Sequence, residues 1–223
     1  MIVQAASASV SSVILEVPDL ASAGAFYSAA FSLDGKLGLR ASAAPTAGFR
    51  AFTLSLIVSQ PANVDGLVAA AIEAGATALK PVRKTFWGYG GVLRAPDGAI
   101  WKVATSSKKD TEPATRQVDD VVLLLGVTDV AASKRFYVEH GLSVAKSFGR
   151  KYVEFATPGT GIKLALYARR ALAKDAGVSA EGSGAHRIVI ASDAGHFTDP
   201  DGFTWEAAAA ESQAASTAGR KAS

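Results

Sequence analysis

Two stretches of the chain carry the same order of apolar and polar positions. In each, an apolar run suited to a buried strand, SVILEV (12–17) or VVLLLGV (121–127), leads into a Val-x-Asp phrase. The phrases VPDLASAGAFY (17–27) and VTDVAASKRFY (127–137) share an Ala two residues after the Asp and a closing Phe-Tyr. Asp19 and Asp129 are placed to cap a helix, each offering its carboxylate to the unpaired N–H groups of the first turn. Leu20, Ala23 and Phe26/Tyr27, and again Val130, Ser133 and Phe136/Tyr137, mark one apolar face at helical spacing. Each half therefore opens with a strand, an Asp cap and an amphipathic helix.

Each half also closes alike, with LRAPDGAIWKVA (93–104) and FTDPDGFTWEAA (197–208). Pro presets φ, Asp tolerates the turn and Gly accepts positive φ, so Pro-Asp-Gly is a tight turn into a final strand. The repetition indicates duplication. Between these ends the first half offers strands at GKLGLRAS and FTLSLIVS, a helix in VDGLVAAAIEAGATALKPV ending at Gly75 and leading into a strand, and a further strand at GYGGVL. The second half offers SVAKSF, KYVEFA, IKLALYA and HRIVIAS, but only DAG separates the last from FTDPDG, too little for a helix of at least ~10 residues. Each half is abbreviated, in a different place. The expected division is an N-terminal segment 1–11, domains over 12–105 and 118–208, a polar linker 106–117 and a flexible tail 209–223.

At 223 residues with 49% hydrophobic and 19% charged, the chain has a globular composition and can bury a core in each half. Its 23 Lys and Arg against 20 Asp and Glu are dispersed, and the densest basic pieces, KPVRK (80–84) and SSKKD (106–110), read as solvated loops or strand ends. That pattern argues against a nucleic-acid partner. The absence of cysteine excludes disulfides, thiolate metal sites and a cysteine nucleophile. The start MIVQAASASVSS has no secretory pattern and no run has transmembrane length, so the expectation is a cytoplasmic protein with no membrane partner.

The helix-start and Pro-Asp-Gly phrases, in order and both repeated, resemble the vicinal oxygen chelate superfamily, which includes glyoxalase I, extradiol dioxygenases and bleomycin-resistance proteins. The resemblance covers roughly residues 10–105 and 118–208. It implies an α+β fold of tandem βαβββ modules forming curved mixed sheets, two modules making a cup around a ligand site. It also implies pairing of modules between chains, hence a homodimer as one expectation. In the metal-using members a His lies seven residues before the Val-x-Asp aspartate and a Glu four after the Pro-Asp-Gly glycine. Here the His slots hold Ser12 and Val122, and the first Glu slot holds Lys102. Glu206 fills the second Glu slot, and His186 lies seven before Asp193. By resemblance, His186 and Glu206 are candidate ligands for one divalent Zn, Ni, Mn or Fe, with Asp119, Asp120, Glu154 or His196 as third-ligand candidates. The alternative is that His186 hydrogen-bonds locally and Glu206 is a strand-end carboxylate.

The aromatic cluster TFWGYGG (85–91) adds a second chemistry. If extended, it places Trp87 and Tyr89 on one face, where they either grip a small organic ligand or fill a core. Lys102 would meet an anionic group of such a ligand, beside Glu206. Alternation turns Trp101 and Trp205 away from Lys102 and Glu206, towards the core. His140, at a helix end, is expected to meet the terminal carbonyls. Three functions stay open: a small-molecule binding protein of bleomycin-resistance type, a metal-dependent lyase, isomerase or dioxygenase centred in the second half, and a non-catalytic interaction protein. Too few ligands are present for glyoxalase I activity itself.

Overall fold

A computed structural model describes residues 7–33, 35–86 and 88–208. The expected flexible tail over 209–223 and the position of Trp87 lie outside the described residues. In chain order the elements are β1 (Val10–Val17), α1 (Leu20–Ala30), β2 (Leu37–Ala41), β3 (Thr46–Gly48), β4 (Phe52–Ile57), α2 (Pro61–Glu73), β5 (Thr77–Thr85), β6 (Gly88–Arg94) and β7 (Ile100–Thr105). They continue with β8 (Asp120–Val127), α3 (Val130–Glu139), β9 (Val144–Phe148), β10 (Tyr152–Phe155), β11 (Lys163–Ala168), α4 (Arg169–Ala176), β12 (Gly182–Gly184), β13 (Ile188–Ser192), β14 (Phe197–Thr198) and β15 (Thr204–Ala207). The fold is α+β. None of the described helices is long and apolar enough to cross a membrane.

The local signals act as the side chains demand. Asp19 accepts from the N–H groups of Ala21 at 2.9 Å and Ser22 at 3.1 Å, and Asp129 does the same for Ala131 at 2.8 Å and Ala132 at 3.1 Å. Both carboxyls sit below their usual pKa because backbone N–H groups stabilise the charged form. Leu20 departs from the expected apolar face: at the first turn it points outward and is 46% exposed, while Ala23, Phe26 and Tyr27 are buried. His140 meets the Phe136 carbonyl at 2.8 Å, as its place at the helix end requires.

The strands divide into an eight-stranded sheet, order β5-β6-β7-β4-β8-β11-β10-β9, and a five-stranded sheet, order β14-β15-β13-β1-β2. A two-stranded ladder joins β12 to β3. Each main sheet joins strands from both halves at an antiparallel seam, β4 with β8 in the large sheet and β1 with β13 in the small one. The large sheet is built from two complete βαβββ modules, β4-α2-β5-β6-β7 and β8-α3-β9-β10-β11. The small sheet holds the abbreviated ones, β1-α1-β2 and the helix-free β13-β14-β15. The abbreviated ends thus complete one another across the halves.

One apolar core lies between the sheets and the helices α1, α2 and α3. The repeated phrases meet inside it. Tyr27 donates to Asp97 Oδ2 at 3.0 Å, and Trp101 Nε1 lies 3.4 Å from the Tyr27 hydroxyl. In the second copy Tyr137 donates to Asp199 Oδ2, with Trp205 Nε1 at 3.5 Å from the same oxygen. Each cluster ties the first helix of one half to that half's closing turn and last strand, α1 to β7 and α3 to β15. Trp101 and Trp205 are 1% and 0% exposed, as alternation predicts. The Pro-Asp-Gly glycines take φ of 90° at Gly98 and 89° at Gly202, a region that strains residues with a Cβ.

Candidate functional site

The face of each sheet turned away from the core is the one a cup would present to a ligand. Cross-strand register fixes what lies there. Ser55 of β4 stands opposite Lys102 of β7 on one side and Val122 of β8 on the other, and Val122 stands opposite Lys163 of β11. A single row across the large sheet therefore reads Lys102, Ser55, Val122, Lys163. Two cations occupy a row where metal chemistry needs carboxylates or imidazoles.

These cations are matched by neighbours. Lys102 pairs with Asp175 at 3.1 Å, Lys163 with Asp120 at 2.6 Å, and Lys146 with Glu154 at 3.3 Å. Tyr152 donates to Glu154 at 2.7 Å, and burial and that bond push its pKa well up. Asp120 and Glu154, both third-ligand candidates, are thus held by lysines. On the small sheet Glu206 lies in one row with Ala191 and Ser12. Arg40 reaches it with a two-point contact at 2.9 and 2.8 Å. That bond holds the Glu206 carboxyl below the usual range and the Arg40 guanidinium above it.

His186 does not join Glu206. Arg187 adopts φ of 54°, which breaks the side-chain alternation just before β13 begins. The imidazole leaves the sheet face, stacks on buried Phe203 at 4.1 Å, and sets Nδ1 2.8 Å from the Arg50 carbonyl and Nε2 3.0 Å from the Asp201 carbonyl. With a carbonyl oxygen facing each ring nitrogen, neither is turned towards a metal. The ring is a staple between the approach to β4 and the turn before β15. Among the described residues no group of three His, Asp or Glu gathers in metal-binding geometry. The divalent metal implied by the resemblance does not fit these residues.

Tyr89 is placed by register and by one hydrogen bond. It stands opposite Thr105, on the face of buried Val103 and Trp101, and its hydroxyl donates to Asp65 of α2 at 2.9 Å. Its hydroxyl is thus tied to the helix side, while the residue also borders the cavity that Lys102 lines. The bond to Asp65 raises its pKa.

An element absent from the sequence reading shapes the remaining space. Helix α4 follows β11 directly and lies on the large sheet's outward face. Its Leu172, Ala173 and Ala176 form a second apolar cluster with Val92 and Ile100, against which Leu124 and Tyr167 pack. Gly126 makes the approach feasible, since a Cβ there would stand 3.2 Å from Arg169 Cα and 3.3 Å from Leu172 Cδ2. The helix ends at Gly177 in the left-handed region, φ 79°. Lys80 of β5 donates to the carbonyls of Lys174 at 2.9 Å and Asp175 at 2.5 Å at that end.

Beside this helix end the outward face keeps a cavity of about 230 Å³. Its cations are Lys80, Arg83 and Lys102, its carboxylate is Asp175, and Val92 and Ala104 give it apolar wall. Lys80 and Arg83 belong to the KPVRK run, which is part of strand β5 and not a loop. Lys80 and Arg83 are three apart in β5, an edge strand of the large sheet, and a register shift between them, from Val92 opposite Lys80 to Gly90 opposite Arg83, brings both onto the cavity side. The sequence held no sign of α4's docking, and hence none of Asp175.

The paired βαβββ modules form the glyoxalase fold. Over most of the chain there is a likeness to glyoxalase I from Zea mays. A single-residue variant of that protein superposes with a TM-score of 0.59 at 15% identity, covering 89% of this chain and 91% of that one. The unaltered protein gives 0.56 at 14% identity, covering 89% and 91%. The sequence matches no family model and none of the curated proteins.

Proposed function

We propose that the chain is a small-molecule binding protein of the glyoxalase fold that works without a metal and takes an organic anion beside the end of α4. The observation that carries this reading is the cavity of Lys80, Arg83, Lys102 and Asp175 over Val92 and Ala104, three cations against one carboxylate on a partly apolar wall. The cationic surplus favours a negative group, and the apolar wall favours a carbon body attached to it. Asp175 already neutralises Lys102 from within the chain, so an incoming carboxylate or sulfonate would take its place on the lysine.

The test is a fluorescence titration with 1-anilinonaphthalene-8-sulfonate, an anion with an aromatic body, in buffer containing a chelator. Saturable binding is expected, weakened about tenfold by Lys102→Met and again by Arg83→Met, each lost charge-assisted contact costing about 1.4 kcal/mol. Binding that needs a divalent metal, or wild-type affinity in both variants, would sink the reading.

A further inference from the structure

A second cavity, about 150 Å³, lies where the segment after α4 crosses the ends of β4, β6 and β7. Phe49, Arg50, Arg94, Gly98, Ile100 and Ser179 are among its lining residues. Arg50 gives the space its character. Its Nη2 donates to the main-chain oxygen of Asp97, while its Nη1 is buried with no partner. Asp97, whose charge it feels, has its carboxylate oxygens engaged by the Tyr27 hydroxyl at 3.0 Å and the Ala99 N–H at 2.9 Å. Burial accordingly pushes the Arg50 pKa down, and Asp97 offsets only part of that. Gly98 gives the guanidinium its place: a Cβ there would stand 2.8 Å from Nη2.

A buried guanidinium nitrogen without an acceptor is costly, and native structures rarely keep one. Arg94 adds a second cation to the lining, and the only carboxylate there, Glu181, is on an exposed residue. Ser179 Oγ accepts from the Glu181 N–H at 3.2 Å and retains its own hydroxyl proton for donation.

We propose that this cavity binds a small oxyanion, a carboxylate or phosphate group, with the Arg50 guanidinium and Arg94 as its cations and Ser179 as a neutral donor. The site is separate from the cavity at Lys102 and does not depend on its occupancy.

The experiment is a titration of the full chain, labelled with ¹⁵N-arginine, with sodium phosphate and separately with sodium acetate, sodium chloride holding ionic strength constant. A saturable shift of the Arg50 Nε–H resonance is expected with at least one anion, and the anion that produces it identifies the preferred group. Arg94→Gln, at an exposed position that leaves the fold intact, should weaken the response about tenfold, the effect of one charge-assisted contact. Arg50→Met should abolish anion binding by calorimetry, and if that variant does not fold the decision rests on Arg94→Gln. A shift that never saturates with either anion, or affinity unchanged in Arg94→Gln, overturns the proposal.

Discussion

Replacing His186 by Ala separates a structural staple from a metal ligand. The imidazole sets its two nitrogens against the carbonyls of Arg50 and Asp201, donates one hydrogen bond as the neutral ring, and stacks on Phe203. That hydrogen bond contributes about 1 kcal/mol, and the ring stack about 0.5–1.5 kcal/mol. Partial access of water to the freed carbonyls lowers the sum and the gap left against Phe203 raises it, so the expected loss is about 2–4 kcal/mol. With a urea dependence of about 2 kcal/mol per molar, the unfolding midpoint falls by about 1–2 M. Glu206→Ala serves as the contrast. Its partner Arg40 is 42% exposed and Glu206 itself 31%. Solvent screening keeps such a pair at about 0–1 kcal/mol, so the midpoint moves by less than about 0.5 M. Urea unfolding and metal content by inductively coupled plasma mass spectrometry are measured on wild type and both variants, purified without tag or chelator. Unequal midpoints in this order, with metal content unaffected by either change, fit the staple. Near-stoichiometric metal lost in both variants, or a His186→Ala midpoint equal to wild type, would refute the reasoning.

The duplicated aromatic clusters should respond unequally. Tyr137→Phe leaves Asp199, 5% exposed, with only Trp205 at 3.5 Å beside the vacated oxygen, at a cost of about 1–3 kcal/mol; Tyr27→Phe, beside the less buried Asp97, should cost about 1 kcal/mol. Urea unfolding in the reverse order would contradict this account. The Arg40–Glu206 pair has a defined pH signature: the Glu206 pKa is lower folded than unfolded, so its contribution is present above 4.5 and fades as pH falls through the folded value. The stability difference between wild type and Glu206→Gln should therefore shrink in acid, and a difference that persists there would rule the pair out as its source.

Much of the architecture was legible before any coordinates. Asp19 and Asp129 announce their helices because N-capping is local, decided within three residues. Trp101 and Trp205 are core residues because strand alternation, once Lys102 and Glu206 are given the other face, leaves them no choice. The repeated Phe-Tyr and Pro-Asp-Gly phrases mark the fold because each tyrosine meets the turn of its own half.

The site was much less legible. Tyr89 was placed by its ladder with Thr105, and extended spacing alone cannot say which face of a sheet is covered by α2. His186 was displaced by a single left-handed residue, Arg187, a backbone choice with no composition signal. Helix α4 spans eight residues, is rich in charge and runs on from β11 without a break, too short for its period to be read and stabilised by packing on the sheet. Sequence by itself determined the strands, the caps and the duplication, because these depend on neighbours along the chain. Only tertiary structure decided which halves share a sheet, which lysines meet Asp175 and which arginine nitrogen lies buried without a partner, because each depends on residues brought together from distant parts of the chain.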